Sequence, residues 1–162
     1  MAVDMFLKLE GIDGESEDHA HADEIDVLSW SWGESQEGTF HLGGGGGAGK
    51  VNFQDLSIVK YVDLSSPVLM FHCARGKHIP EGILTIRKAG ESPIEYLVIN
   101  MKKLLVSSVQ TGGSNGGDRL TETVSLNFAE CEVKYTEETE DGSEGASKTF
   151  SWNVAKNDGD VR

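Results

Sequence analysis

The chain has 162 residues, 14 of them Lys or Arg and 27 Asp or Glu, for a formal net charge of -13, with 38% hydrophobic residues. That length predicts a single domain, 1–162, burying roughly 70% of its unfolded surface, and the composition excludes wholesale disorder. The charge excludes a phosphate-backbone binder and an anionic membrane surface as partners, because both need clustered cations.

The N-terminal run from Met1 to Gly11 has no basic region followed by an apolar stretch and a small-residue cleavage site, so no signal peptide is expected. Met5 to Glu10 alternates Phe6 and Lys8 against Leu7 and Leu9 and predicts a first strand. Gly11 to His21 is acidic and predicts a solvated loop. In the next segment Ile25 and Val27 share one parity, whereas Leu28, Trp30 and Trp32 share the other. Such a switch implies a bulge or bend that moves burial from one face to the other, leaving Ser29, Ser31 and Gly33 opposite the tryptophans.

Gly38 to Lys50 is a glycine-rich loop, and Val51 to Asp63 predicts one long strand, apolar at both parities. A short helix is expected at about 66–75, with Ser66 as N-cap, Pro67 at the first helical position and Gly76 just past the end. Leu69, Met70, Cys73 and Ala74 mark its apolar stripe. Pro80 to Lys88 and Ile94 to Val109 predict two further strands around a turn. From Leu120, Val124, Leu126 and Phe128 alternate with Thr121, Thr123, Ser125 and Asn127, and after Ala129 the apolar parity moves to Cys131, Val133 and Tyr135. Glu137 to Ser147 is an acidic loop, and Lys148 to Val154 predicts a final strand.

Roughly seven strands and one short helix give an all-β class: a compact antiparallel β-barrel or sandwich of two sheets. Strands apolar on both faces need a second cover, which one short helix cannot supply, so an oligomer is expected. No apolar run reaches the ~20 residues of a membrane span, and no membrane insertion is expected.

Chemical motifs are few. Gly44 to Lys50 satisfies the first part of a phosphate-binding loop, but Val51 replaces the Ser or Thr that holds magnesium, and a strand follows where a helix is needed. His19, His21, His72, Cys73 and His78 have no metal-ligand spacing. Cys73 and Cys131 read as reduced thiols. Neither a nucleophile elbow nor a pair of assignable carboxylates is present. The sequence thus predicts no enzyme: no catalytic residues, no cofactor and no metal. Trp30, Trp32 and Trp152 admit a different reading, a monomeric β-sandwich module that binds a ligand or carbohydrate by stacking, against which stands a core role for the first two.

The order of these segments carries a resemblance: EIDVLSWSWG, the glycine loop running into GKVNFQDLSIVKYVD, then SPVLMFHCARGKHIPEGILTIRKAG, EYLVINMKKLLVSSVQTGGS and RLTETVSLNFAECEVKY. The chain resembles the haemolysin-coregulated protein (Hcp) family of bacterial type VI secretion, from Met1 to about Val154, with Glu137 to Ser147 the least similar stretch. The resemblance implies a non-enzymatic inner-tube subunit. Six copies would form a homo-hexameric ring, and rings would stack into a tube. Its partners would be a contractile sheath, a spike protein and small effector proteins carried or chaperoned in the lumen. It also implies a protein cytoplasmic before assembly and then secreted without a signal peptide. The family's extended loop matches Gly38 to Lys50, making His41, Leu42, Gly43, Gly44, Gly45, Gly46, Gly47 and Lys50 candidates for the contact with a neighbouring subunit. Ser29 and Ser31 are candidates for the lumen wall.

Overall fold

In the computed structural model, which describes residues 3–38 and 49–162, the long strands bury alternate residues, the period-two signature of a sheet with one face on a core. The order is β1 (Val3–Leu9), β2 (Ile25–Asp26), β3 (Ser29–Ser31), β4 (Glu34–Ser35), β5 (Asn52–Phe53), β6 (Leu56–Tyr61), α1 (Ser65–Arg75), β7 (His78–Lys88), β8 (Ile94–Gly112), β9 (Thr121–Asn127), β10 (Glu130–Glu138), β11 (Glu144–Asn153) and β12 (Asp158–Val161). The ladders between them are antiparallel. The expected class is borne out: mostly β, two sheets, one helix.

The 19-residue β8 joins two halves. Its first part lies between β7 and β10, and its last part pairs with β9, which leads to β6 and β3. The wrap is barrel-like, but among the described residues no continuous ladder closes it. Closure falls to the segment from Ile25 to Ser31, which pairs first with β1 and then with β6. At the handover the Val27 N–H donates to the Met5 carbonyl and the Leu28 N–H to the Val59 carbonyl. This is the parity switch read in the sequence: Ile25 and Val27 are buried, then Trp30 and Trp32 pack on the core. Leu28, grouped there with the tryptophans, is instead exposed, because it sits at the change of partner.

The core is one cluster running from Leu7 and Leu9 through Leu56, Ile58, Leu84, Ile99, Met101, Val124 and Leu126. Gly82 belongs to it by lacking a side chain: a Cβ there would lie 2.9 Å from Leu9 and 3.1 Å from Leu104. Into the same interior β6 sends Lys60, wholly buried against Glu122 of β9.

Several expectations need correction. The helix starts one residue earlier, and Ser66 is not its cap. The Asp63 carboxylate accepts from the Ser65 N–H at 2.9 Å, while the Ser66 hydroxyl donates to Glu122 at 2.5 Å. Gly76 does end the helix, in the left-handed region at φ 65°. Its buried face is Ser65, Ser66, Leu69 and His72, and of the forecast stripe Met70 and Ala74 are exposed.

The long strand from Val51 splits into β5 and β6, because Gln54 turns its N–H to the Gly33 carbonyl and Asp55 binds Ser107 and Asn127. The loop from Gly11 to His21 is docked rather than solvated. Ile12, Ser16 and His21 are buried, and Asp18 binds Arg87 of β7. That guanidinium holds the Asp18 carboxyl down to about 2. The acidic stretch after Glu137 is the tip of the β10–β11 hairpin, and β12 lies beyond the last strand foreseen.

Candidate functional site

Register across the second half of the molecule assembles a surface from residues far apart in sequence. Ser31 pairs with Ser57, Ser57 with Ser125, and Ser125 with Ser108, so four serines form one row across β3, β6, β9 and β8. The adjacent row is Ser29, Val59, Thr123 and Gln110, and the next contains Tyr61, Thr121 and Gly112. Paired residues of an antiparallel ladder share a face, so all of these point away from Leu56, Ile58, Val124 and Leu126. None of the three rows holds a charge, in a chain where charged residues make up 25%.

The wall is bounded at both ends. Beyond the serine row, Asp55 accepts from Ser107 at 2.6 Å and from Asn127 at 2.8 Å. At the other end the Arg119 guanidinium lies 3.8 Å from the Tyr61 ring centroid. Nearby, burial and then the charge of Asp63 push the Asp26 carboxyl above its usual range. The outer face of β1, β7, β8 and β10 is different in kind. There Asp4, Lys8, Glu81, Arg87, Lys102, Glu130, Glu132 and Lys134 share the face with Phe6, Ile83, Thr85, Val98 and Asn100, and His21 of the docked loop stacks on Phe6.

Chemically, the serine rows offer hydroxyls without a base to activate them, since no histidine or carboxylate shares the rows. They can hydrogen-bond weakly to whatever passes. Among the described residues no three His, Cys, Asp or Glu side chains cluster to hold a metal ion. His21 bridges Glu24 and Glu95, each at 2.9 Å, and His72 bonds the Val68 carbonyl. Burial raises the Cys131 thiol to about 11, an unreactive state.

Of the residues singled out from sequence, Ser29 and Ser31 are exposed together on this wall. His41, Leu42 and Gly43 to Gly47 lie outside the described residues; Lys50, just beyond them, is exposed. The described ends of that loop meet in the β4–β5 ladder, where Glu34 pairs with Phe53 and Ser35 with Asn52. Beneath it Trp32 stacks on Phe53 at 5.9 Å and meets Phe128 edge-on at 5.7 Å, while its indole N–H donates to the Gln54 carbonyl. Trp152 stacks with Phe150 at 6.3 Å. The tryptophans are thus engaged by their own neighbours and form no common stacking platform. Ser57, Ser108 and Ser125 were missed in the sequence. Hydroxyl alternation in β9 was visible, but alignment with two other strands was not.

The comparisons agree with this architecture. A family model described as "Type VI secretion system effector, Hcp" matches residues 6–135. Protein hcp1 of Pseudomonas aeruginosa is 58% identical over 159 residues, covering 97% of this chain and 98% of that protein. Among solved structures, Hcp1 from Salmonella typhimurium is similar at 41% identity and a TM-score of 0.81, with 99% of this chain and 100% of that one covered. A type six secretion system protein reaches a TM-score of 0.93 at 29% identity, covering 98% and 100%.

Proposed function

The chain belongs to the Hcp family of type VI secretion proteins, structural and secreted rather than enzymatic, and from that premise we propose that six copies close into a ring whose bore is lined by the serine rows. Stacked rings form the inner tube, which the sheath and spike partners drive outward and which carries small effector proteins. The protein waits in the cytoplasm before assembly and leaves without a signal peptide. One observation carries the reading: four serines in register across four strands, on a face free of charge. A conduit for varied polypeptides needs a wall that neither traps them by charge nor buries their apolar residues, and short hydroxyls satisfy both demands. The charged face opposite suits the outside of the ring.

On this reading the loop through His41, Leu42 and Gly43 to Gly47 reaches a neighbouring subunit, with Lys50 at its described end. Deleting Gly43 to Gly47 leaves the β-fold intact and weakens ring formation or stacking; equal assembly by the deletion variant would remove the loop from the interface. The wall is tested by electron microscopy of Ser31→Cys in a Cys73→Ser background, labelled with maleimide-gold. The expected image is a ring with gold at its centre. Gold on the periphery would invert the assignment of faces.

A further inference from the structure

A glycine that follows Asn or Asp leaves its backbone nitrogen unscreened by a side chain, so that nitrogen can reach the preceding side-chain carbonyl carbon. The chain has four such steps: Gly14 after Asp13, Gly116 after Asn115, Gly142 after Asp141 and Gly159 after Asp158. Only one of them begins with an asparagine, and an amide yields to a nucleophile more readily than an ionised carboxylate does.

The four steps differ in what holds the glycine. The Gly14 N–H donates to the Asp23 carbonyl at 2.8 Å, and a Cβ there would lie 2.5 Å from the Glu24 carbonyl oxygen, so the docked loop fixes that step. The Gly142 N–H donates to the Thr139 carbonyl at 2.9 Å, while the Asp141 carboxylate accepts from the Ser143 N–H at 3.1 Å and from its hydroxyl at 2.5 Å. Gly159 lies in β12, packed so closely on the Ser151 carbonyl that a Cβ there would overlap it. Asn115 and Gly116 stand instead at the centre of a turn between β8 and β9, closed by the Gly117 N–H donating to the Ser114 carbonyl at 3.1 Å. In such a turn the N–H of the central peptide, here that of Gly116, points away from the closing bond. Among the described residues no backbone carbonyl accepts from it. Both residues are exposed, and beyond the chain neighbours nothing lies within 4 Å of where a Gly116 Cβ would be.

We propose that Asn115 is a modification site at which the chain itself supplies the nucleophile. The Gly116 nitrogen gives up its proton to solvent and attacks Cγ of Asn115. The Cγ–Nδ2 bond breaks, the leaving nitrogen takes a proton from water, and ammonia departs from a five-membered imide. Water then adds to either imide carbonyl. Opening at the side-chain carbonyl gives aspartate; opening at the main-chain carbonyl gives isoaspartate, whose backbone runs through Cβ and Cγ. The net change is one water in and one ammonia out, with nothing oxidised or reduced. Either product adds one negative charge to a chain at -13. Isoaspartate also lengthens the main chain by one carbon between strands paired up to Gly112 and Thr121. On the ring reading the new charge falls at the end of the bore wall marked by those two residues, but the modification itself does not depend on that reading.

The test keeps the full-length protein, Gly116→Ala and Asn115→Gln in neutral buffer and samples them over several weeks. Both changes fall in the exposed turn, and circular dichroism is expected to match the parent. Cutting after Lys and Arg isolates residues 104–119, in which Asn115 is the only asparagine. In the parent this peptide should give way to two products, each one mass unit heavier, of which one accepts a methyl group from S-adenosylmethionine when a protein isoaspartate methyltransferase is added. Gly116→Ala, whose Cβ crowds the nitrogen, should slow the loss of the peptide about tenfold, and Asn115→Gln should abolish the methyl-accepting product. A parent peptide that stays intact, conversion to aspartate with no methyl acceptor, or equal rates in the parent and Gly116→Ala would overturn the proposal. So would methyl acceptance that arises first at Asp13, Asp141 or Asp158. None of these outcomes bears on the ring reading, which mass in solution tests separately.

Discussion

Lys60 on β6 and Glu122 on β9 form an ion pair with no exposure to solvent on either side chain. The Lys60 ammonium also donates to the Tyr61 carbonyl at 3.0 Å and the Ser66 hydroxyl at 3.1 Å, and Asp63 lies 2.9 Å away. The pair therefore ties the sheet behind the serine rows to the first turn of the helix. Removing one partner leaves a buried charge uncompensated. Lys60→Met is expected to destabilise by about 3–5 kcal/mol in urea unfolding. Lys60→Met/Glu122→Leu should cost much less than the sum of its single changes; additive costs would show that the two residues do not act as a unit.

Asp18 and Arg87 give stability a definite acid limb. The Asp18 carboxyl titrates at about 2 in the folded chain, against an ordinary 3.8, chiefly through its hydrogen bond to Arg87. A depressed carboxylate stabilises fully above its unfolded value and loses that contribution as pH falls through its folded value. Asp18→Asn should lower the urea midpoint at pH 7, and the gap from the parent should narrow below about pH 4 and close as pH falls through about 2. A gap that does not narrow over that range would mean that the docked loop is held by other contacts.

Gly82 tests the packing of the barrel. A methyl at this position meets Leu9 and Leu104 within 3.1 Å. Gly82→Ala is therefore expected to cost about 1–3 kcal/mol, measured as a lower denaturant midpoint with an unchanged slope. A neutral substitution would show that the leucines have room to move.

Ring stacking carries a salt signature. On the proposed ring reading, six copies at -13 each would bring about -78 to a ring, and rings so charged would repel along the tube axis at low ionic strength. With a screening length falling from about 30 Å at 0.01 M to about 10 Å at 0.1 M, tubes seen by light scattering should lengthen as salt rises. Shortening with salt would instead mark charge attraction between ring faces.

Much of the fold was legible because alternation is a local signal. The change from Ile25 and Val27 to Trp30 and Trp32 announced a strand that changes sides, and Gly76 announced the end of the helix. The rest depended on partners remote in the chain. Ser66 looks like a cap, yet the helix begins one residue before it and its hydroxyl is drawn to Glu122, 56 residues away. Ile12 and His21 look solvated until β1 and β7 provide a surface to receive them. Asp158 to Val161 has little strand character of its own, and it is ordered by backbone pairing to β11. Ser29 and Ser31 could be named from alternation alone, but the row they begin needed the registers of β6, β9 and β8.

The most direct test of the central claim is the mass of the untreated protein in native mass spectrometry at tens of micromolar. The account predicts a species of six times the 17.5 kDa chain. A single 17.5 kDa species across that range would contradict it.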